Sequence, residues 1–227
     1  GYTKDEKEMK VTAISDLHGD RPKLKGGDLL IIAGDLTARD YYKQHVEFAE
    51  WLRAQDYRKK VLIAGNHDVL LYKTTIPTLR TEMPYLDASY LCDAGTEYKG
   101  YKIWGTPWTP YFNGVNPNCA AFMLRSNSQL KDKFDLIPED TDILVSHGPC
   151  YGRLDRTLWG DDAGSPALRE RVDYLRTKKL KYHIHGHIHE AYGEHEEGGL
   201  KTLNVARMDR NYIPKNKIVN FEIEDKQ

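Results

Sequence analysis

The chain is poor in cysteine: Cys92, Cys119 and Cys150 are the three in 227 residues, odd in number, widely spaced and without a C-x-x-C pair. That scarcity excludes a disulfide framework and a thiolate zinc site, and predicts a reducing, cytoplasmic compartment. Excess charge of either sign is missing as well, with 33 Lys and Arg against 34 Asp and Glu. Without a net basic field, a long nucleic-acid partner is not expected. No run of about 18 apolar residues occurs, and the charged stretch Gly1 to Lys10 lacks the apolar centre of a signal peptide, so no membrane association is expected. Repeats, low-complexity tracts and linkers are also absent, and the length suits a single α/β domain over 1–227.

What the sequence does contain is a set of short apolar runs, each ending in a polar residue with chemical potential, which is how a buried strand delivers a functional group to a sheet edge. Val11-Thr-Ala-Ile-Ser leads to Asp16, Leu29-Leu-Ile-Ile-Ala-Gly to Asp35, and Val61-Leu-Ile-Ala-Gly to Asn66 and His67. Ile143-Leu-Val-Ser leads to His147, and Tyr182-His-Ile-His-Gly to His187 and His189. Further strands are expected at Tyr101 to Trp104, Leu203 to Ala206 and Ile218 to Ile223.

Tyr42, Val46, Ala49 and Leu52 follow a candidate N-cap at Asp40 with helical spacing. Ser165 and Pro166 read as an N-cap and first helical residue, with Leu168, Val172 and Leu175 as the apolar stripe. The stretch from Trp104 to Pro138 opens with too much Pro and Gly for regular structure and reads as an ordered surface loop.

Five motifs concentrate the chemistry: Asp16-Leu-His18, Gly34-Asp35, Gly65-Asn-His-Asp68, Ser146-His147-Gly148 and Gly186-His-Ile-His189. They supply oxygen and imidazole donors and no thiolate, a set that suits divalent first-row cations. Singly each is weak, since Asn-His at a strand exit can be an Asx-turn. Five in one order on strand ends are not explained that way.

In this order the motifs resemble the calcineurin-like metallophosphoesterase superfamily, and its class III cyclic-nucleotide phosphodiesterase-like (MPPED) branch in particular. The closer likeness is carried by Gly105-Thr-Pro-Trp-Thr-Pro110, Leu136-Ile-Pro-Glu-Asp-Thr-Asp-Ile-Leu144, His147-Gly-Pro149 and Gly186-His-Ile-His-Glu-Ala-Tyr-Gly193. The resemblance implies a two-sheet α/β sandwich flanked by helices, four layers in all. It implies two divalent metal ions, Mn²⁺ foremost with Fe, Ni, Zn or Co as alternatives. Asp16, His18 and His189 would bind one, Asn66, His147 and His187 the other, and Asp35 both.

The two carboxylates return only part of the cations' charge, so the site stays net positive, by about one unit once a shared hydroxide is counted, enough to attract a phosphate ester. The implied reaction is attack of that hydroxide on a phosphodiester, cyclic nucleotides or similar small nucleotides being the expected substrates. His67 would protonate the leaving group, with Asp68 orienting it or capping the following turn.

Trp108, Asn113 and Arg153 are candidate substrate contacts, and Trp104, Tyr111 and Phe112 could complete an aromatic wall or a hydrophobic cluster under the loop. His183 and His185 share one strand face and are expected to pack, whereas His45 and His195 sit among charges and are expected to be solvated. The rivals are a protein phosphatase or other monoesterase, a nuclease, and a non-catalytic scaffold of the same fold. Protein phosphatases continue the second motif into an Asp-Arg pair, where this chain has Leu36-Thr-Ala-Arg39-Asp40. The scaffold reading loses ground because all seven ligand positions are filled, including His187, where some members of the branch carry Gly.

Overall fold

A computed structural model describes residues 8–74 and 88–226; part of the charged stretch Gly1 to Lys10 therefore lies outside the described residues. The apolar runs form strands buried on both faces, as expected of parallel strands covered on each side. Strands β1 (Glu8–Ile14), β2 (Gly27–Ala33), β3 (Tyr57–Ile63) and β4 (Ser89–Tyr90) run parallel. They form one sheet with β13 (Val219–Glu224), which pairs antiparallel with β1 at the edge. The second sheet has a parallel centre of β6 (Tyr101–Thr106), β9 (Ile143–Ser146), β10 (Tyr182–His185) and β12 (Leu200–Asn204). Antiparallel β5 (Ala94–Tyr98) and β11 (Gly193–Glu197) close its edges. A short pair, β7 (Thr109–Pro110) with β8 (Met123–Leu124), stands apart.

Alternation along each strand sorts the side chains into layers. Leu29, Ile31, Val61 and Ile63 meet Ile103, Ile143, Val145 and Ile184 in a core between the sheets. On the outer face of the first sheet, Leu30, Ile32 and Leu62 pack on Phe48, Ala49 and Leu52 of helix α1 (Tyr42–Ala54). A short helix α2 (Val69–Lys73) follows β3. Leu144 in the second sheet packs on Leu130 and Phe134 of α3 (Asn127–Phe134) and on Leu168, Val172 and Leu175 of α4 (Pro166–Arg176). The result is the four-layer sandwich that the resemblance implied. Ser165 caps α4 by accepting from the Leu168 amide, with Pro166 at the first turn.

Three local expectations are corrected. Helix α1 begins after Tyr41 rather than Asp40, and its buried stripe is His45, Phe48, Ala49 and Leu52, leaving Tyr42 exposed. His45 is thus fully buried, its Nε2 2.7 Å from Asp40 Oδ1, instead of solvated. The segment after Trp104 is not all loop: Ser126 and Gln129 form a reciprocal capping box that starts α3, a signal of the S-x-x-Q type present in the sequence.

Candidate metal centre

Each chemical motif leaves the carboxyl end of a central strand. Asp16 and His18 follow β1, Asp35 follows β2, Asn66, His67 and Asp68 follow β3, His147 follows β9, and His187 and His189 follow β10. The two sheets join at this end. Ser15 bridges to Ala206, and His147 Nδ1 donates to the Ala33 carbonyl at 2.7 Å. The backbone turns sharply here: Asp16, His18, Asp35 and His187 all have positive φ, a left-handed conformation that costs a non-glycine residue about 1–3 kcal/mol and persists only where the surroundings enforce it. Gly65 and Gly186 make the approach possible. A Cβ on Gly65 would lie 2.3 Å from Asp35 Oδ1, and one on Gly186 would lie 2.1 Å from Asp16 Oδ2.

The two carboxylates, both buried, are held in the same way. Asp35 Oδ1 accepts from the His67 amide at 2.9 Å, which leaves Oδ2 facing imidazoles from three loops: His147 Nε2 at 3.3 Å, His18 Nε2 at 3.5 Å and His67 Nε2 at 4.0 Å. Asp16 Oδ2 accepts from the His187 amide at 2.9 Å and from the Ser15 hydroxyl, while Oδ1 faces His189 Nε2 at 3.0 Å and His18 Nε2 at 3.8 Å. Each acid therefore gives one oxygen to the backbone and presents the other inward. Asn66 donates its amide to the Cys119 carbonyl, fixing which end is oxygen, and Oδ1 lies 2.9 Å from His147 Nε2. The Nδ1 atoms of His147 and His189 donate to the carbonyls of Ala33 and Asp209, leaving Nε2 as the inward donor atom, the outer support typical of metal-binding histidines.

The electrostatics agree with a site built for cations. Burial would raise the Asp35 carboxyl, but His147 and His67 hold it well below the usual range. Burial opposes charge on His147, yet Asp35 outweighs it and lifts the imidazole to about 10, whereas burial and the charge of His147 push His187 down to about 3. Burial also holds His67 below its ordinary value. Two buried acids that face imidazoles as their charged partners among the described residues, and a buried His18 Nε2 with no hydrogen-bond partner aimed at them, fit a bound cation. Ligand atoms of Asp16, His18 and His189 lie within 4.8 Å of one another, as do those of Asp16, Asp35 and His147. His187 joins this set through its ring, 5.0 Å from that of His147.

A cleft of about 830 Å³ opens over these groups, lined by His67, Tyr111, Phe112 and Asn113 and also by Trp159 and Tyr212. The last two carried no sequence signal strong enough to single them out. Tyr212 packs edge-on to His18 and His189, and burial plus the charge of Asp35 push its phenol up to about 12, so it stays a neutral donor.

Other candidates lie elsewhere. Trp108 donates to Asp93 and packs on Phe122, away from the cleft. Arg153 is 2% exposed and pairs with Asp173 at 2.7 Å and Glu197 at 3.2 Å, because a buried guanidinium needs carboxylates and finds them on α4 and β11. Asp68 neither orients His67 nor caps α2 through its side chain; its carboxylate accepts from the amides of Gly65, Asp35 and Leu36. Burial, then the charge of Asp35, raise it to about 6. His183 and His185 are buried and pack together, as their shared strand face predicts, and His195 is exposed.

Comparison with known proteins points the same way. The profile of the "Calcineurin-like phosphoesterase" family matches residues 9–191. The chain is 31% identical to the human "Metallophosphoesterase domain-containing protein 1" over a 245-residue alignment, covering 95% of this chain and 69% of that protein. It is 30% identical to the Caenorhabditis elegans "UPF0046 protein T07D4.2", covering 95% and 60% respectively. Among solved structures, TT1561 of Thermus thermophilus superposes with a TM-score of 0.59 at 15% identity, over 86% of this chain and 88% of that one.

Proposed function

The chain belongs to the calcineurin-like phosphoesterase family and is a metal-dependent phosphoesterase, and on that premise we propose that it hydrolyses phosphodiesters of small nucleotide-like compounds, cyclic nucleotides among them. Asp16, His18 and His189 would hold one divalent cation, Asn66, His147 and His187 a second, and Asp35 would serve both. Mn²⁺ is the proposed metal, with Fe, Ni, Zn and Co compatible with the same donors. The observation that carries the reading is Asp35 Oδ2, a single inward oxygen that meets His18 from the first half of the chain at 3.5 Å and His147 from the second at 3.3 Å.

Two bound cations would supply a hydroxide nucleophile near neutral pH and would offset the charge gathering on phosphorus. The protein's own residues fix the geometry around it. Asn66 contributes a neutral oxygen, which preserves positive charge for the ester. His67, at the wall of the cleft, would pass a proton to the departing alkoxide, and Tyr212, in the same lining, offers a neutral hydroxyl. Three free thiols fit a reducing, cytoplasmic setting; among the described residues no helix is long and apolar enough to cross a membrane.

The test is a screen of 2′,3′- and 3′,5′-cyclic nucleotides, linear diesters and monoesters with Mn²⁺, comparing wild type with Asp35→Asn. Diester turnover that Asp35→Asn abolishes supports the proposal. Turnover confined to monoesters, or undiminished in the variant, contradicts it.

A further inference from the structure

Trp159 is 88% exposed, the most exposed of the large hydrophobic residues described, yet it does not sit on a loose strand of chain. It stands at the tip of a small hairpin closed by the Arg156 to Asp162 bridge, with the Thr157 amide donating to the Asp161 carbonyl at 2.8 Å and the Gly160 amide to the Thr157 carbonyl at 3.0 Å. The hairpin is tied to the metal centre: the Leu158 amide donates to Glu190 Oε2 at 3.1 Å, and Glu190 is the residue after His189. The fold therefore spends a rigid, braced turn on holding an indole in water at the rim of the catalytic cleft, where Phe112, itself 51% exposed, is also part of the lining. Two exposed aromatic rings in the lining of one cleft offer apolar surface to a ligand held there.

The charge of the cleft decides what is recognised. Among the described residues that line it there is no Lys or Arg, and outside the proposed metal ligands its acidic side chains are Asp161 and Glu190. Arg125 lies behind this lining, 3.9 Å from the Tyr111 ring, but the lining itself offers no cation to a second phosphate, so a substrate whose remainder carries none suits it best. We infer that Trp159, with Phe112, is a specificity-determining platform on which a flat, uncharged ring of a monophosphate-bearing substrate, such as a nucleobase, stacks while its phosphate lies at the metal centre. This rests on the phosphoesterase reading above and adds the substrate's second point of attachment.

The experiment is calorimetric titration of the Mn²⁺-loaded protein with AMP, ribose 5-phosphate and phosphocholine, in wild type, Trp159→Ala and Trp159→Phe. Base stacking is worth about 5- to 150-fold in affinity, so AMP is expected to exceed ribose 5-phosphate by a factor in that range. Trp159→Ala should bring AMP down to the level of ribose 5-phosphate, and Trp159→Phe should keep most of the preference. An AMP preference that survives Trp159→Ala overturns the inference, as does the absence of any preference. Phosphocholine bound more tightly than AMP through Trp159 would also overturn it, since the platform would then serve a cation. Hydrolysis of bis(p-nitrophenyl) phosphate by the same wild-type preparation reports separately on the phosphoesterase: turnover there without an AMP preference rejects the platform and leaves the chemistry standing.

Discussion

The Asp68 carboxylate accepts a hydrogen bond from the backbone amide of Asp35 at 2.8 Å, and the same oxygen accepts from Gly65 at 2.7 Å. One buried acid thus staples the loop after β2 to the loop after β3, and holds Asp35 in its left-handed conformation. Asp68→Ala would leave the amides of Asp35, Gly65 and Leu36 without an acceptor. Each buried unsatisfied amide costs about 1–3 kcal/mol, so a loss of roughly 3 kcal/mol or more is expected, with weakened metal binding. Denaturant unfolding and metal analysis check this; a variant with full stability and metal would show that the staple is not needed.

His67 is the proton donor in this account and not a ligand. His67→Ala should keep wild-type metal content while losing about 10²–10⁴-fold in kcat on alkyl diesters, and much less on p-nitrophenyl esters, whose leaving group needs no proton. Equal losses on both substrates would point to a role in binding.

Arg153 lies outside the cleft, so Arg153→Met should lower stability without raising KM. Without the guanidinium, Asp173 keeps Arg169 and Arg176 as partners and Glu197 keeps His195, and both carboxylates reach solvent, which limits the cost to about 1–2 kcal/mol. A several-fold rise in KM at unchanged stability would return Arg153 to the substrate site.

Two buried histidines on β10 set an acid limit on the fold. Burial, then the charge of neighbouring His185, hold His183 well below its ordinary value, and burial holds His185 at about 4. Both bind protons near 6.5 in the unfolded chain but not in the native one. The stability they protect is therefore complete above about 6.5 and is lost as the pH falls from there toward 4. In chelator, so that metal loss plays no part, Tm should drop across that window, and His183→Gln should flatten the drop. A Tm independent of pH from 7 to 5 would exclude the effect.

The strand-end motifs made most of this centre legible in the sequence, because parallel strands buried on both faces appear as unbroken apolar runs and the residue after each run must emerge at the sheet edge. Val61 to Gly65 followed by Asn66 is an instance. Placement by solvation failed where a helix face had to be judged: His45 has polar sequence neighbours, but the face shared with Phe48 and Leu52 turns it inward onto Asp40. Residue chemistry alone points Trp108 and Arg153 toward the cleft, while burial places one against Asp93 and the other against Asp173. Trp159 and Tyr212 carry little signal in the sequence, since their importance depends on loop paths; for Trp159 the one sign is an indole followed by Gly160-Asp-Asp-Ala-Gly164, a turn-forming tract.

The most direct test of the central claim is anomalous diffraction at the manganese edge from a crystal grown with Mn²⁺. The account predicts two peaks about 3.5–4 Å apart with Asp35 Oδ2 between them, Asp16, His18 and His189 around one and Asn66, His147 and His187 around the other. No peak among these seven side chains, or manganese bound elsewhere, would contradict it.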